Sequence, residues 1–460
     1  MKMTKSIPRQ DRIKRNKLAA SLAVLLLILP YSSRAQERVL TLQDCIAIAL
    51  GESPKLEGSR FDLLAAAAEI RAAQSATLPN LTGSAATEYL AGQRTSTFQF
   101  IDTSSNAVTA QPLVSGGVNI FGARLVYPVF KDGSILGLND APAVSGRKAQ
   151  EHALAWTAHL SRQEVIYRIT NAFIATVSAR NRREFVDRKV SLLEQSVGIT
   201  QEQQKQGLSL PIDLRVAKEQ LHGAQALAKI VHEQAVAGAL EISRALAMPS
   251  TASVNLASVL PDPPEPPSAT QLLGTSLITH PSLGVQRATI DKAKQDYRLE
   301  RFRLYPSVNL TGAAFYADDV EFRRTGASLY TATLTVNVPI FDFGAQSATV
   351  RARRMTYLAE QARLGSVADD VTNDIVQTYQ SIGEVSEAIL LRQAEIAKAD
   401  RDSRVEASQQ QQGLTEPLKP IEAELTLLGK RDELATLEAR RLVLYAALQQ
   451  AAGGTWKWLR

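Results

Sequence analysis

The sequence predicts a mainly α-helical, elongated protein with a small β part and an internal duplication. Three observations carry this. The chain of 460 residues is 45% hydrophobic but only 6% aromatic, lean for a large compact core. Landmarks of the first half recur in the second in the same order. Two stretches of about seventy residues keep a helical period throughout, each preceded by segments whose apolar residues alternate instead.

The first 35 residues stand apart by charge. They hold eight Lys/Arg and one Asp, whereas residues 36–460 hold 44 Lys/Arg against 45 Asp/Glu. The formal charge of +6 belongs to the leader, so a nucleic-acid surface loses its main support. A basic stretch from Lys2 to Lys17, an apolar run over 18–30 and Ser33-Arg34-Ala35 have the order of a signal peptide cut before Gln36. That run is too short to span a bilayer, and no later run reaches the ~20 apolar residues a spanning helix needs. The expectation is an exported chain without a helical anchor. The one cysteine, Cys45, follows Leu42-Gln43-Asp44 rather than the small residues that precede a lipidated bacterial cysteine. It reads as a small buried apolar residue, and the protein as not lipidated.

The mature chain divides into repeats at 36–260 and 268–460, joined by a stiff proline-rich linker at 261–267. Pro54, Pro79 and Tyr89 recur as Pro281, Pro306 and Tyr316, all at an offset of 227. Tyr127-Pro128-Val129-Phe130 with Gly133 recurs as Val338-Pro339-Ile340-Phe341 with Gly344, and Gly207-Leu208 recurs as Gly413-Leu414. In the first repeat an amphipathic helix is expected at 41–77, ended by Leu78-Pro79. Strands follow at about 80–92 and 112–130, with a tip loop near 93–111. A long helix over about 134–206 carries two adjacent apolar stripes, one from Ile169 to Thr200 and one through Phe173, Val177 and Leu192. This suits a helix packed between neighbours in the wall of a tube. A return helix is expected at about 211–248. The second repeat gives a helix at 269–304, strands at about 307–317 and 327–341, a long helix at about 345–412 and a return helix at about 421–450. Its strands alternate most clearly: Tyr330, Leu334 and Val336 against Thr331, Thr333 and Thr335.

Four strands with one apolar and one hydroxyl-rich face cannot close a barrel within one chain, because small barrels begin at about eight strands. Open edges in lipid leave backbone groups unpaired, so several copies must share one barrel if these strands enter a membrane. Tyr127, Phe130, Tyr316, Tyr330 and Phe341 lie at strand ends, where a membrane-interface girdle would sit.

At this point the sequence resembles the TolC-like outer membrane efflux factors. The resemblance rests on the opening Leu42, Cys45, Ile46, Ala49 and Leu50, on Leu78-Pro79-Asn80-Leu81, on the Pro-x-Phe-x-x-Gly steps at 128–133 and 339–344, and on the Gly-Leu turns. It implies a homotrimer with a shared twelve-stranded β-barrel in outer membrane lipid, a long periplasmic coiled-coil helical barrel, and an equatorial belt built from about 249–268 and the tail after Ala451. The implied function is an outer membrane efflux duct of a tripartite export system, passively conducting small molecules or secreted substrates, with multidrug efflux or type I secretion as its setting. The implied partners are a periplasmic adaptor protein and an inner membrane pump. The resemblance also makes Gln206, Gly207, Leu208, Gln412, Gly413 and Leu414 the adaptor-docking tip. Family members often carry a carboxylate pair that narrows the closed tube; here those positions hold Lys419 and Glu422, with Asp213 in the first repeat. These three are either a constriction or, for Lys419 and Glu422, an ordinary ion pair.

No phosphate loop, dinucleotide fingerprint or nucleophile elbow is present. Glu219-x-x-His222 lacks the second copy a di-iron bundle site needs, His152 and His159 lack a third ligand, and Asp369, Asp370 and Asp374 read as a charged helix face. No enzyme and no cofactor is expected. The alternative reading is a periplasmic coiled-coil adaptor or scaffold, which would require a lipoyl-like or β-barrel domain between the helices.

Overall fold

The computed structural model describes residues 39–90, 97–102, 107–112, 116–248, 255–319 and 327–456; the expected signal peptide lies outside them. Each repeat opens on a helix broken at a proline. Helices α1 (Leu42–Glu52) and α2 (Pro54–Ser75) stand where one helix was expected at 41–77. In the second repeat α5 (Ala269–Thr279) and α6 (Pro281–Phe302) stand where one was expected at 269–304. The apolar period runs through both joints, but proline has no N–H and pushes the residue before it out of the helical region. Ser53 (φ −69°, ψ 117°) and His280 (φ −62°, ψ 131°) are accordingly extended. Each proline then opens a new helix, where its missing N–H costs nothing.

The first repeat continues with β1 (Asn80–Leu90), β2 (Thr97–Asp102), β3 (Ala107–Pro112), β4 (Gly116–Lys131) and a short β5 (Ser134–Ile135). Strands β2 and β3 pair as a separate hairpin within the segment expected to be a tip loop, where the sequence has no clear alternation. The long helix α3 (Pro142–Lys205) starts later than residue 134. Asp132, Gly133, Leu136 and Gly137 all have positive φ, which reverses the chain so that β5 pairs back on β4 before the helix begins. Helix α4 (Pro211–Ala245) returns. The second repeat has β6 (Ser307–Asp319), β7 (Ala327–Asn337), the long helix α7 (Ala345–Gln411) and α8 (Lys419–Ala451). Strand β7 stops short of 341: Pro339 can donate no ladder bond, and Phe343 and Gly344 take positive φ before α7.

Strands β1, β4, β6 and β7 form one antiparallel sheet in that order, with β5 attached to β4. The 64 residues of α3 and the 67 of α7 make rods of about 95–100 Å. Near the sheet the helices lie in the order α2, α3, α6, α7; farther away the order is α4, α3, α8, α7. Glycines let the rods approach: a Cβ on Gly284 would sit 2.4 Å from Trp156 Cδ2, and one on Gly238 would sit 2.2 Å from Thr176 Oγ1.

Two apolar cores meet midway along α3. Phe173, with Ile169 and Val177, packs on Cys45, Ile242 and Leu256; its neighbour Ile174 packs on Ile375, Leu442 and Leu448. Successive residues of one helix thus serve different cores: Ile169 of one expected stripe and Phe173 and Val177 of the other share the first core, while Ile174, in neither stripe, serves the second. A backbone bridge from Leu40 to Leu256 holds the segment after α4 against the start of the chain, and Leu260 and Trp456 pack on the second core. Burial raises the Cys45 thiol pKa to about 11, with Asp44 adding to the shift. Among the described residues no helix is long and apolar enough to cross a membrane.

Candidate functional site

Strand register sorts the sheet into two faces. Leu81, Leu125, Gly312 and Ala332 lie along one rung; Tyr127, Leu310 and Leu334 lie along another; Phe121, Tyr316 and Ser328 lie along a third. All point to the same side, and Leu81, Phe121, Leu310 and Leu334 are exposed there. The opposite face carries Thr82, Arg124, Asn309, Thr311, Thr333, Thr335 and Asn337. A contiguous apolar face left bare on an isolated chain marks a surface that something apolar covers.

Four of the five candidate girdle aromatics fall on the apolar side: Tyr127, Phe130, Tyr316 and Tyr330. Tyr127 lies toward the helices and its hydroxyl donates to the Leu136 carbonyl at 2.9 Å. Tyr316, opposite Phe121, lies six residues farther along, about 20 Å at the rise of a strand. That separation suits two rims of an apolar band about 25 Å tall. Phe341 lies beyond β7, tilted against Phe343 with ring centroids 4.6 Å apart, so the strand does not place it.

At the far end both helical hairpins turn through the same motif. The Leu208 N–H donates to the Gln203 carbonyl at 2.8 Å and the Gly207 N–H to Gln204 at 3.0 Å; the Leu414 N–H donates to Gln409 and the Gly413 N–H to Gln410, both at 2.9 Å. Gly207 (φ 75°) and Gly413 (φ 69°) supply the left-handed residue this cap requires. In such caps the residue after the glycine often packs on an apolar residue of the last helical turn, but here that position holds Gln203 and Gln409. The leucines consequently stay out: Leu208 is 74% exposed and Leu414 72%. Gln206 and Gln412 are the C-caps of α3 and α7.

The constriction candidates are engaged locally. The Asp213 carboxylate accepts the Leu210 N–H at 2.8 Å and the Ser209 hydroxyl at 3.1 Å, capping α4. Lys419 and Glu422 face each other across one helical turn, Nζ to Oε2 at 3.4 Å, both exposed. Elsewhere Glu219 pairs with Arg215 at 3.1 Å, and Asp369, Asp370 and Asp374 lie exposed on α7. Among the described residues no group of three or more His, Cys, Asp or Glu gathers as metal ligands.

Residues 272–454 match the family model for the outer membrane efflux protein. The match falls within the second repeat. No curated protein sequence matches the chain. Among solved structures, the open state of the Neisseria gonorrhoeae MtrE outer membrane channel shares 14% identity over 90% of this chain and 89% of that one, with a TM-score of 0.73. The Campylobacter jejuni CmeC outer membrane channel shares 15% over 91% and 87%, TM-score 0.72, and VceC of Vibrio cholerae shares 17% over 90% and 97%, TM-score 0.69. At these identities the likeness establishes the fold, which is TolC-like over about nine tenths of the chain. The matched family is one of channels rather than enzymes.

Two groups of residues escaped the sequence reading. One is the pair Arg124 and Lys131, isolated cations in strands that alternate weakly. The other is the set of apolar residues exposed on helix edges, such as Phe61 and Leu64 on α2 and Met355, Leu390 and Leu391 on α7. Their spacing looks like any buried stripe; only the helix order shows that nothing among the described residues covers them.

Proposed function

We propose that three copies of this chain close into the outer membrane duct of a tripartite export system, conducting solutes passively from a periplasmic adaptor and an inner membrane pump to the exterior. The observation that carries this is a shared handedness of edges. In the sheet the free edges are β1 and β7, near the sheet α2 and α7, and farther away α4 and α7. At every level one edge comes from the first repeat and the other from the second, and apolar side chains are bare on both. A first-repeat edge that fits a second-repeat edge generates a ring by rotation, with every copy in the same environment.

Closing that ring pairs β7 of one copy with β1 of the next, satisfies both free edges of the four-stranded sheet, and turns the apolar face outward to lipid and the hydroxyl face to a wet lumen. The family analogy sets the number at three, giving twelve strands. The helical rods extend the lumen about 95–100 Å to a tip where Leu208 and Leu414 are apolar handles for the adaptor. The duct is passive in this reading, and the energy comes from the pump. An outer membrane protein that runs as a detergent-resistant oligomer supports this reading; recovery as a soluble periplasmic monomer overturns it.

A further inference from the structure

We infer that Arg124 and Lys131 form a binding site for multivalent anions on the inner wall of the duct. The inference rests on the barrel reading, since that reading makes the hydroxyl-rich face the lumen. Arg124 sits midway along β4 on this face, between Thr82 of β1 and Ala313 of β6. Ala313 is too short to reach it, and neither Arg124 nor Lys131 has an ion pair or a side-chain hydrogen bond among the described residues. Both cations line a hollow of about 860 Å³ between the sheet and the end of α6, and both line a second hollow beside it that also takes in Asn80 and Thr82.

The acids nearby offset them only in part. Asp132 lines the larger hollow, while Glu300, at the end of α6, is taken up by Arg303 at 3.1 Å and by the Gln346 amide at 3.2 Å. The second hollow has no acid in its lining. Around the two cations stand donors that suit an oxyanion, namely the Thr311 and Thr335 hydroxyls and the Asn309 amide. A ring of copies repeats this surface around one bore, and rings of like charge select the ions that pass. The chemistry is that of a polyphosphate or polycarboxylate, whose several charges engage cations of neighbouring copies together.

The test is conductance of the purified oligomer in planar bilayers with inorganic tripolyphosphate added on the barrel side. At about 0.01 M salt, where the Debye length is about 30 Å, the wild type should be blocked; at about 1 M salt, where it is about 3 Å, the block should vanish. The double variant Arg124→Gln with Lys131→Gln should need about tenfold more tripolyphosphate for the same block. Equal block of the wild type and the double variant overturns the site while leaving the duct intact. Conducting oligomers that are never blocked do the same. If no conducting oligomer forms, the barrel reading fails and takes the site with it.

Discussion

Arg182 on α3 and Asp432 on α8 are joined by a two-pronged ion pair, Nε to Oδ1 at 2.6 Å and Nη2 to Oδ2 at 3.0 Å, each side chain 19% exposed. The pair ties the long helix of the first repeat to the return helix of the second. The fork of a guanidinium on a carboxylate fixes orientation as well as distance, and Asp432 holds the Arg182 pKa above its ordinary value. Arg188 and Glu424, 2.8 Å apart, repeat the link toward the tip, but on a more exposed surface.

Removing one partner should leave the other half-buried and unmatched. Arg182→Met or Asp432→Asn alone is expected to cost about 3 kcal/mol, while the pair Arg182→Met with Asp432→Leu should cost less than either single change. Arg188→Met should cost under about 1 kcal/mol. Denaturation of all variants followed by far-ultraviolet circular dichroism measures this. A double change as costly as the two singles added together would show that the pair is not coupled.

His280 makes stability depend on pH. Its Nδ1 accepts the Ser282 N–H at 3.2 Å, so it must be unprotonated, and the ring faces the Ala451 and Gln450 carbonyls, with Asp374 the nearby acid. Burial is the largest influence and lowers the pKa below the ordinary 6.5. The unfolded chain therefore binds the proton more readily, and stability should fall as pH drops below 6.5 toward the depressed folded value. Melting temperatures at falling pH should decline more steeply for the wild type than for His280→Gln; parallel curves would remove His280 as the cause.

The tip makes a separable prediction. Leu208→Glu with Leu414→Glu leaves both glycine turns intact, because these side chains are largely exposed and the turns are held by backbone hydrogen bonds. Oligomer yield should be unchanged and export abolished, as measured by accumulation of a pump substrate. Export at the wild-type level would remove the leucines from the docking surface.

Cys45 is enclosed by Ile169, Phe173 and Ile242, and its thiol pKa lies near 11. A water-soluble maleimide at neutral pH should leave it unmodified in the folded protein and label it after denaturation. Rapid labelling of the folded protein would contradict this packing.

The fold class was legible because it rests on long signals: the period of α3 and α7, the Thr-rich alternation of β7, and repeated prolines and glycines at fixed offsets. Joints were harder. Pro54 and Pro281 served as landmarks of the duplication, yet the helices were carried through them, since the apolar period continues on both sides. The start of α3 was set too early because positive φ at the non-glycine residues Asp132 and Leu136 leaves no compositional mark. In the candidate site, Gly207 and Gly413 were readable from the turn chemistry. The capping role of Asp213 was visible only once the Leu210 N–H was placed. Arg124 became informative only when the register put it on the hydroxyl face with Ala313 opposite.

The central claim is that the face bearing Leu310, Tyr330 and Leu334 meets lipid while the face bearing Thr311, Thr333 and Thr335 meets water. Spin labels placed one at a time along β7, from Ser328 to Asn337, in the protein reconstituted into bilayers, test it through collision with oxygen and with a water-soluble nickel chelate. The account predicts alternation: oxygen-rich and nickel-poor at 330, 332, 334 and 336, the reverse at 331, 333 and 335. Labels at 330–336 that are all accessible to nickel, or shielded from both reagents, would contradict it.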